Sequence, residues 1–203
     1  MRRSTLLLIV ALALAAGACN GGGDEPSATA TPAGTATSTP SSETPGATEP
    51  GPTESPFEGS QDPVSGTLGN LGTPPPVAQL VDVRVGEHAD FDRIVFEFSD
   101  VGTDYTVDYV NDPTYCGSGE PVELGGEAFL QITLTPAQAH DDAGQSTIGA
   151  LELSPGYGAI IAAIQSCDFE GYVTWVVALP ARLDFRGTGL GGPLRLAVDI
   201  GHP

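Results

Sequence analysis

Apolar and polar positions alternate with period two through most of residues 77–200, which predicts β-strands rather than helices. Val77, Gln79, Val81, Val83 and Val85 alternate with Asp82 and Arg84. Turn residues fill 86–90, and Ile94, Phe96 and Phe98 then alternate with Arg93 and Glu97, so the two runs read as a hairpin. Tyr105, Val107 and Tyr109 form a third strand that stops at Asn111-Asp112-Pro113. After loop chemistry at 114–120 comes a short segment at 122–124, then a strand carrying Leu130, Ile132 and Leu134 and ended by Pro136. Residues 138–155 read as a long polar loop. Residues 156–166 are ambiguous: Tyr157, Ile160, Ile161 and Ile164 have helical spacing, but the run is short enough for a buried strand. Residues 172–179 are apolar on both faces, as a central strand should be, and Trp175 within them reads as core. Segments 183–190 and 194–200 close the chain around Gly191-Gly192-Pro193. Seven to eight strands separated by turn signals predict an all-β fold, a β-sandwich.

Upstream the pattern changes twice. Met1-Arg2-Arg3 precedes an apolar run over residues 6–16, roughly half of the ~20 residues that a bilayer span needs. Small residues follow, and the segment ends Leu-Ala-Ala-Gly-Ala-Cys at Cys19. A basic start, a short apolar core and small residues at the cut make an export signal over residues 1–18. A Cys directly after the small residues is similar to a lipobox, with Ala16 where Leu is usual, and implies a lipid on Cys19. Residues 19–76 are then rich in Gly, Ser, Thr, Pro, Ala and Glu, with Phe57 the single aromatic. Such a segment buries too little apolar surface to offset its ordering entropy, so it is expected to be a disordered tether, bare or O-glycosylated. The folded domain is accordingly expected at residues 77–203.

Charge narrows the partners. The 203-residue chain has a formal net charge of −19, and all seven basic residues are Arg. Nucleic acid and anionic membrane surfaces require a basic face, so neither is an expected partner. Of three cysteines, Cys19 is assigned to the lipid; Cys116 and Cys167 remain as an even pair in an exported domain, where a disulfide is expected.

Three clusters carry residue types with chemistry. His88, Asp90 and Asp92 suit a divalent ion, but they sit at the predicted hairpin turn, where Asp is ordinary turn chemistry and Asp92 or Glu97 can pair with Arg93. His140, Asp141 and Ser146 have the types of a hydrolase triad without its geometry, and no Gly-x-Ser-x-Gly elbow occurs. Asp168 and Glu170 form a carboxylate pair of the kind used on glycans, yet Glu170-Gly171 reads as a hairpin corner. Tyr105 and Tyr109 project from one strand face: exposed, they are candidate ligand contacts; buried, they are core. No catalytic residue, cofactor or metal site is assigned.

Three stretches together carry a resemblance: 83–98 (Val-Arg-Val-Gly-Glu-His-Ala-Asp-Phe-Asp-Arg-Ile-Val-Phe-Glu-Phe), 134–141 (Leu-Thr-Pro-Ala-Gln-Ala-His-Asp) and 168–179 (Asp-Phe-Glu-Gly-Tyr-Val-Thr-Trp-Val-Val-Ala-Leu). With the closing 194–200 strand they resemble the AMIN-like domain of exported lipoproteins of high-GC bacteria. AMIN domains proper are β-sandwiches that direct cell-wall amidases and secretin-type proteins to the envelope, some by binding peptidoglycan. The resemblance implies a lipid-anchored, extracytoplasmic, non-enzymatic binding or scaffold module whose partner is peptidoglycan or another envelope component. Two alternatives remain open: an interaction module serving a wall enzyme or transporter, and a cryptic envelope hydrolase.

Overall fold

The structure, a computed structural model, describes residues 57–203 with residue 100 excepted. The expected export signal, Cys19 and residues 20–56 of the expected tether lie outside the described residues. Eleven strands follow one another: β1 Val64–Leu68, β2 Ala78–Glu87, β3 Phe91–Phe98, β4 Thr103–Val110, β5 Ala128–Thr135, β6 Ala137–Gln138, β7 Glu152–Leu153, β8 Ala162–Phe169, β9 Tyr172–Leu179, β10 Phe185–Leu190 and β11 Arg195–Gly201. They form a six-stranded sheet in the order β1-β4-β5-β9-β8-β7 and a five-stranded sheet in the order β10-β11-β3-β2-β6. All pairings are antiparallel except the two-residue β2–β6 contact.

The alternating pattern builds the core directly. Ile94, Phe96 and Phe98 of β3 face Leu130, Ile132 and Leu134 of β5, and Val173, Trp175 and Val177 of β9, within one buried cluster. The Phe96 and Trp175 rings meet edge to face at 5.9 Å between centroids and tie the two sheets together. Both faces of β9 are buried, Val176 and Ala178 included. The loop before β5 supplies part of that cover. Gly126 runs so close to Ala178 that a Cβ at Gly126 would lie 3.0 Å from the alanine methyl.

Two expectations are corrected, and two segments left open are settled. Composition assigns residues 57–76 to the tether, but β1 pairs with β4 from Val64↔Val107 to Leu68↔Thr103, and Leu68 is only 2% exposed. The fold therefore begins at least as early as Phe57, whose ring stacks near Phe91 and covers Gly201. The simple alternation of β2 breaks at a bulge between Leu80 and Asp82. One extra residue exchanges the faces, so Leu80 and Val83 point inward while Val77 and Val81 are exposed. The ambiguous segment resolves as strand β8 preceded by a turn, because pairing with β9 satisfies its backbone where a short helix would leave its ends open. The short segment at 122–124 makes no strand; Pro121 instead bridges back to Thr114.

Candidate functional site

Residues 111–127 form a flap over the outer face of the six-stranded sheet. The Cys116–Cys167 disulfide, with Cα atoms 5.3 Å apart, fixes this flap to β8. A backbone bond from the Cys116 N–H to the Ser166 carbonyl reinforces it. Inside the flap, Tyr115 and Glu120 close a tight turn, and the Ser118 hydroxyl accepts the Glu120 N–H. On the other side of β8, the loop from Ala139 to Thr147 folds back on itself. The Asp141 carboxylate accepts the N–H groups of Ala143 and Gln145, and the Thr147 hydroxyl donates to the Leu80 carbonyl. Gln79 donates its side-chain amide to the carbonyl of His140.

Between flap and loop, along the edge of β8 that β7 leaves uncovered, lies an open cleft of about 620 Å³. Asp168 and His140 meet in it. The His140 Nδ1 is 2.8 Å from one Asp168 carboxylate oxygen, and the other oxygen accepts the Ala139 N–H. A carboxylate beside Nδ1 accepts the N–H of that nitrogen and fixes the orientation of the ring. Glu120 and Gln165 add a carboxylate and an amide, Leu151 adds an exposed apolar side chain, and among the described residues no arginine lines the cleft.

The triad types are thus not brought together as a triad. His140 pairs with Asp168, while Asp141 is occupied with its own turn. Ser146 bridges His140 through backbone, but its hydroxyl donates to the Ile148 carbonyl and accepts the Ile148 N–H. Asp168 and Glu170 also separate: Asp168 faces the cleft, whereas Glu170 occupies the β8–β9 turn at φ 49°.

The hairpin cluster has a structural task. Asp92 is fully buried and accepts the N–H groups of Ala159 and Ile160 on one oxygen, with the His202 Nε2 2.9 Å from the other. It straps the 156–161 turn and the C-terminus onto β3. His88 stacks on Phe91, so it does not join Asp92. Among the described residues no three His, Cys, Asp or Glu side chains are grouped to hold a metal. Arg93 does not pair with Asp92 or Glu97. It joins Arg186 on Asp199, while Arg84 takes Asp82 and Glu97. Burial alone would push the Asp199 carboxyl up, but the hydrogen bonds and charges of Arg93 and Arg186 outweigh it and hold it below the ordinary range. The Arg93 guanidinium is held above its ordinary value, chiefly by the same hydrogen bond.

The two tyrosines proposed as ligand contacts are packing residues. Tyr105 is 8% exposed, its ring lying over Gly66 of β1, where a Cβ would come within 2.7 Å of the phenol oxygen. The Tyr109 hydroxyl donates to the Leu183 carbonyl and accepts the Leu183 N–H, and its ring packs edge-on against Phe185 beneath Arg182. Burial pushes this phenol up. An unforeseen β1 covers one ring and the β9–β10 connection claims the other; neither neighbour is visible from β4 alone. Among the described residues the most exposed aromatics are Phe169 and Tyr172, which flank the Glu170-Gly171 corner. A hairpin turn bracketed by two aromatics was the available signal.

Compared with known proteins, residues 78–202 match the family model described as AMIN-like domain. No curated protein and no solved structure matches the chain.

Proposed function

The chain belongs to the AMIN-like domain family, and on that premise we propose that it is a cell-envelope binding module, held at the membrane by a lipid on Cys19. Residues 20–56 would serve as its tether, the export signal of residues 1–18 having been removed. The module presents the cleft between Cys116 and Asp168 to an envelope component, peptidoglycan first, and does no chemistry on it.

One observation carries the choice of binding over hydrolysis. The cleft holds a histidine oriented by a carboxylate, but the Ser146 hydroxyl, which also lines it, is engaged by Ile148 rather than by the imidazole. An oriented imidazole whose neighbouring hydroxyl is engaged elsewhere serves as a hydrogen-bonding group. A cleft of this size falls within the roughly 300–1,000 Å³ of small-molecule sites, and it has a few convergent polar groups on a largely fixed frame.

Co-sedimentation of the purified protein with peptidoglycan, run beside a muropeptide-release assay, tests this reading. Binding without release is expected. Release by the wild type that disappears in Asp168→Asn or Glu120→Gln would establish the hydrolase instead. No sedimentation at any salt concentration from low to high would move the assignment to a protein partner in the envelope.

A further inference from the structure

Phe169 and Tyr172 are 62% and 51% exposed, and they are direct partners across the β8–β9 turn. Large aromatics seldom stand in water side by side without a use. In β8, Cys167 and Phe169 share one face two residues apart, and Cys167 lines the cleft. Asp168, between them, reaches the cleft from the opposite face over the uncovered strand edge. The aromatic tip therefore adjoins the polar cleft.

We propose that the tip and the cleft form one saccharide-binding site, selective for uncharged or amine-bearing sugars over polyanionic ones. It rests on the envelope-binding reading above and specifies what that site takes. A pyranose ring has a face of C–H groups that stacks on an aromatic ring and a rim of hydroxyl and amide groups that need donors and acceptors in defined directions. Phe169 and Tyr172 supply the stacking surface. Asp168, His140 and Gln165 supply the polar partners.

The tip is also held ready. Glu170 and Gly171 occupy left-handed backbone at φ 49° and 81°, and the Gly171 carbonyl accepts the Ala137 N–H from β6. Such pre-ordering reduces the entropy lost on binding. Charge sets the selectivity. Glu120 and Asp168 line the cleft, no arginine among the described residues does, and the chain carries a net −19. A uronate or phosphate chain meets repulsion there, while an ammonium group meets attraction.

Calorimetric titration of the purified full chain with three soluble probes tests this: an N-acetylglucosamine oligomer, its de-acetylated amine counterpart and a polyuronate. Binding of the first two, and none of the third, is expected. Phe169→Ala combined with Tyr172→Ala should weaken binding about tenfold or more, the effect of losing one good stacking contact. Its thermal midpoint should not move, because both rings are exposed, and Tyr172→Phe should retain affinity. Unchanged affinity in the double variant, or a polyuronate bound as well as the neutral oligomer, would overturn the proposal. A protein that sediments with peptidoglycan yet ignores both sugar oligomers loses the saccharide assignment and keeps the envelope-binding one. A protein that does neither loses both.

Discussion

Asp199 is 2% exposed and still charged, because Arg93 and Arg186 both reach it from β3 and β10. Its carboxyl titrates below the unfolded value of 3.8, so the unfolded chain binds the extra proton first as acid is added. The stabilisation is thus fully present above about pH 4 and is lost as pH falls through the lower, folded value. Asp199→Asn should cost about 1–3 kcal/mol at pH 7, a range set by losing charge-assisted hydrogen bonds to partly exposed arginines. The cost should shrink toward zero in strong acid, and urea unfolding at pH 7 and below pH 3 measures both limits. A constant difference across that range would mean that Asp199 contributes through shape rather than charge. Asp92 satisfies two backbone N–H groups and meets the His202 imidazole. Nothing in its neighbourhood within the sequence distinguishes it from the turn aspartate at position 90.

Two elements stabilise the fold: one lies at the far edge of the six-stranded sheet, and the other is part of the cleft wall. Strand β1 covers the edge of β4, and with Leu68 and Gly66 it closes the core over Tyr105. A chain beginning at residue 77 should lose about 3 kcal/mol from Leu68 burial alone. It should also self-associate through the bared β4 edge. Thermal melts and light scattering against a chain beginning at residue 57 would decide, and equal melting with no association would show β1 to be dispensable. The disulfide is the second element. It closes a separation of 51 residues, for which the chain-entropy model gives about 4 kcal/mol. Cys116→Ser combined with Cys167→Ser should lower stability by up to that amount, read from urea denaturation. Loss of ligand binding should come first, at concentrations of urea where β-sheet circular dichroism is unchanged, because the flap is the part released.

At the scale of the whole molecule, the proposed membrane anchor and the acidity would act together. A tether raises the effective concentration of the domain near the membrane. A strongly negative domain is repelled by anionic surfaces until short-range contacts take over, so its association with the wall should strengthen with salt over the range in which screening grows. The anchor is testable separately. Cys19→Ser should leave the protein uncut or release it from the membrane fraction, and intact-mass spectrometry of membrane-extracted wild type should show a diacylglyceryl mass on the mature N-terminus. A mature chain without that mass would remove the anchor from the account while leaving the cleft untouched.

Period-two patterning by itself determined the all-β class, the β2–β3 hairpin, the buried β9 and the closing β10–β11 pair, since alternation along a strand is a local consequence of the pleat. Cysteine arithmetic indicated the Cys116–Cys167 pair for a similar reason: only two were left to choose from. What tertiary structure alone decided is everything that depends on which strands become neighbours. Strand β1 hides in a stretch whose composition is that of a linker, because an edge strand needs only one apolar face and borrows its stability from β4. Tyr105 and Tyr109 have the same alternating spacing whether they face solvent or core, and the pairing of β4 settles that. His140 and Asp168 are 28 residues apart in the chain, and the loop fold and strand pairing that bring them within 2.8 Å leave no mark in either local sequence.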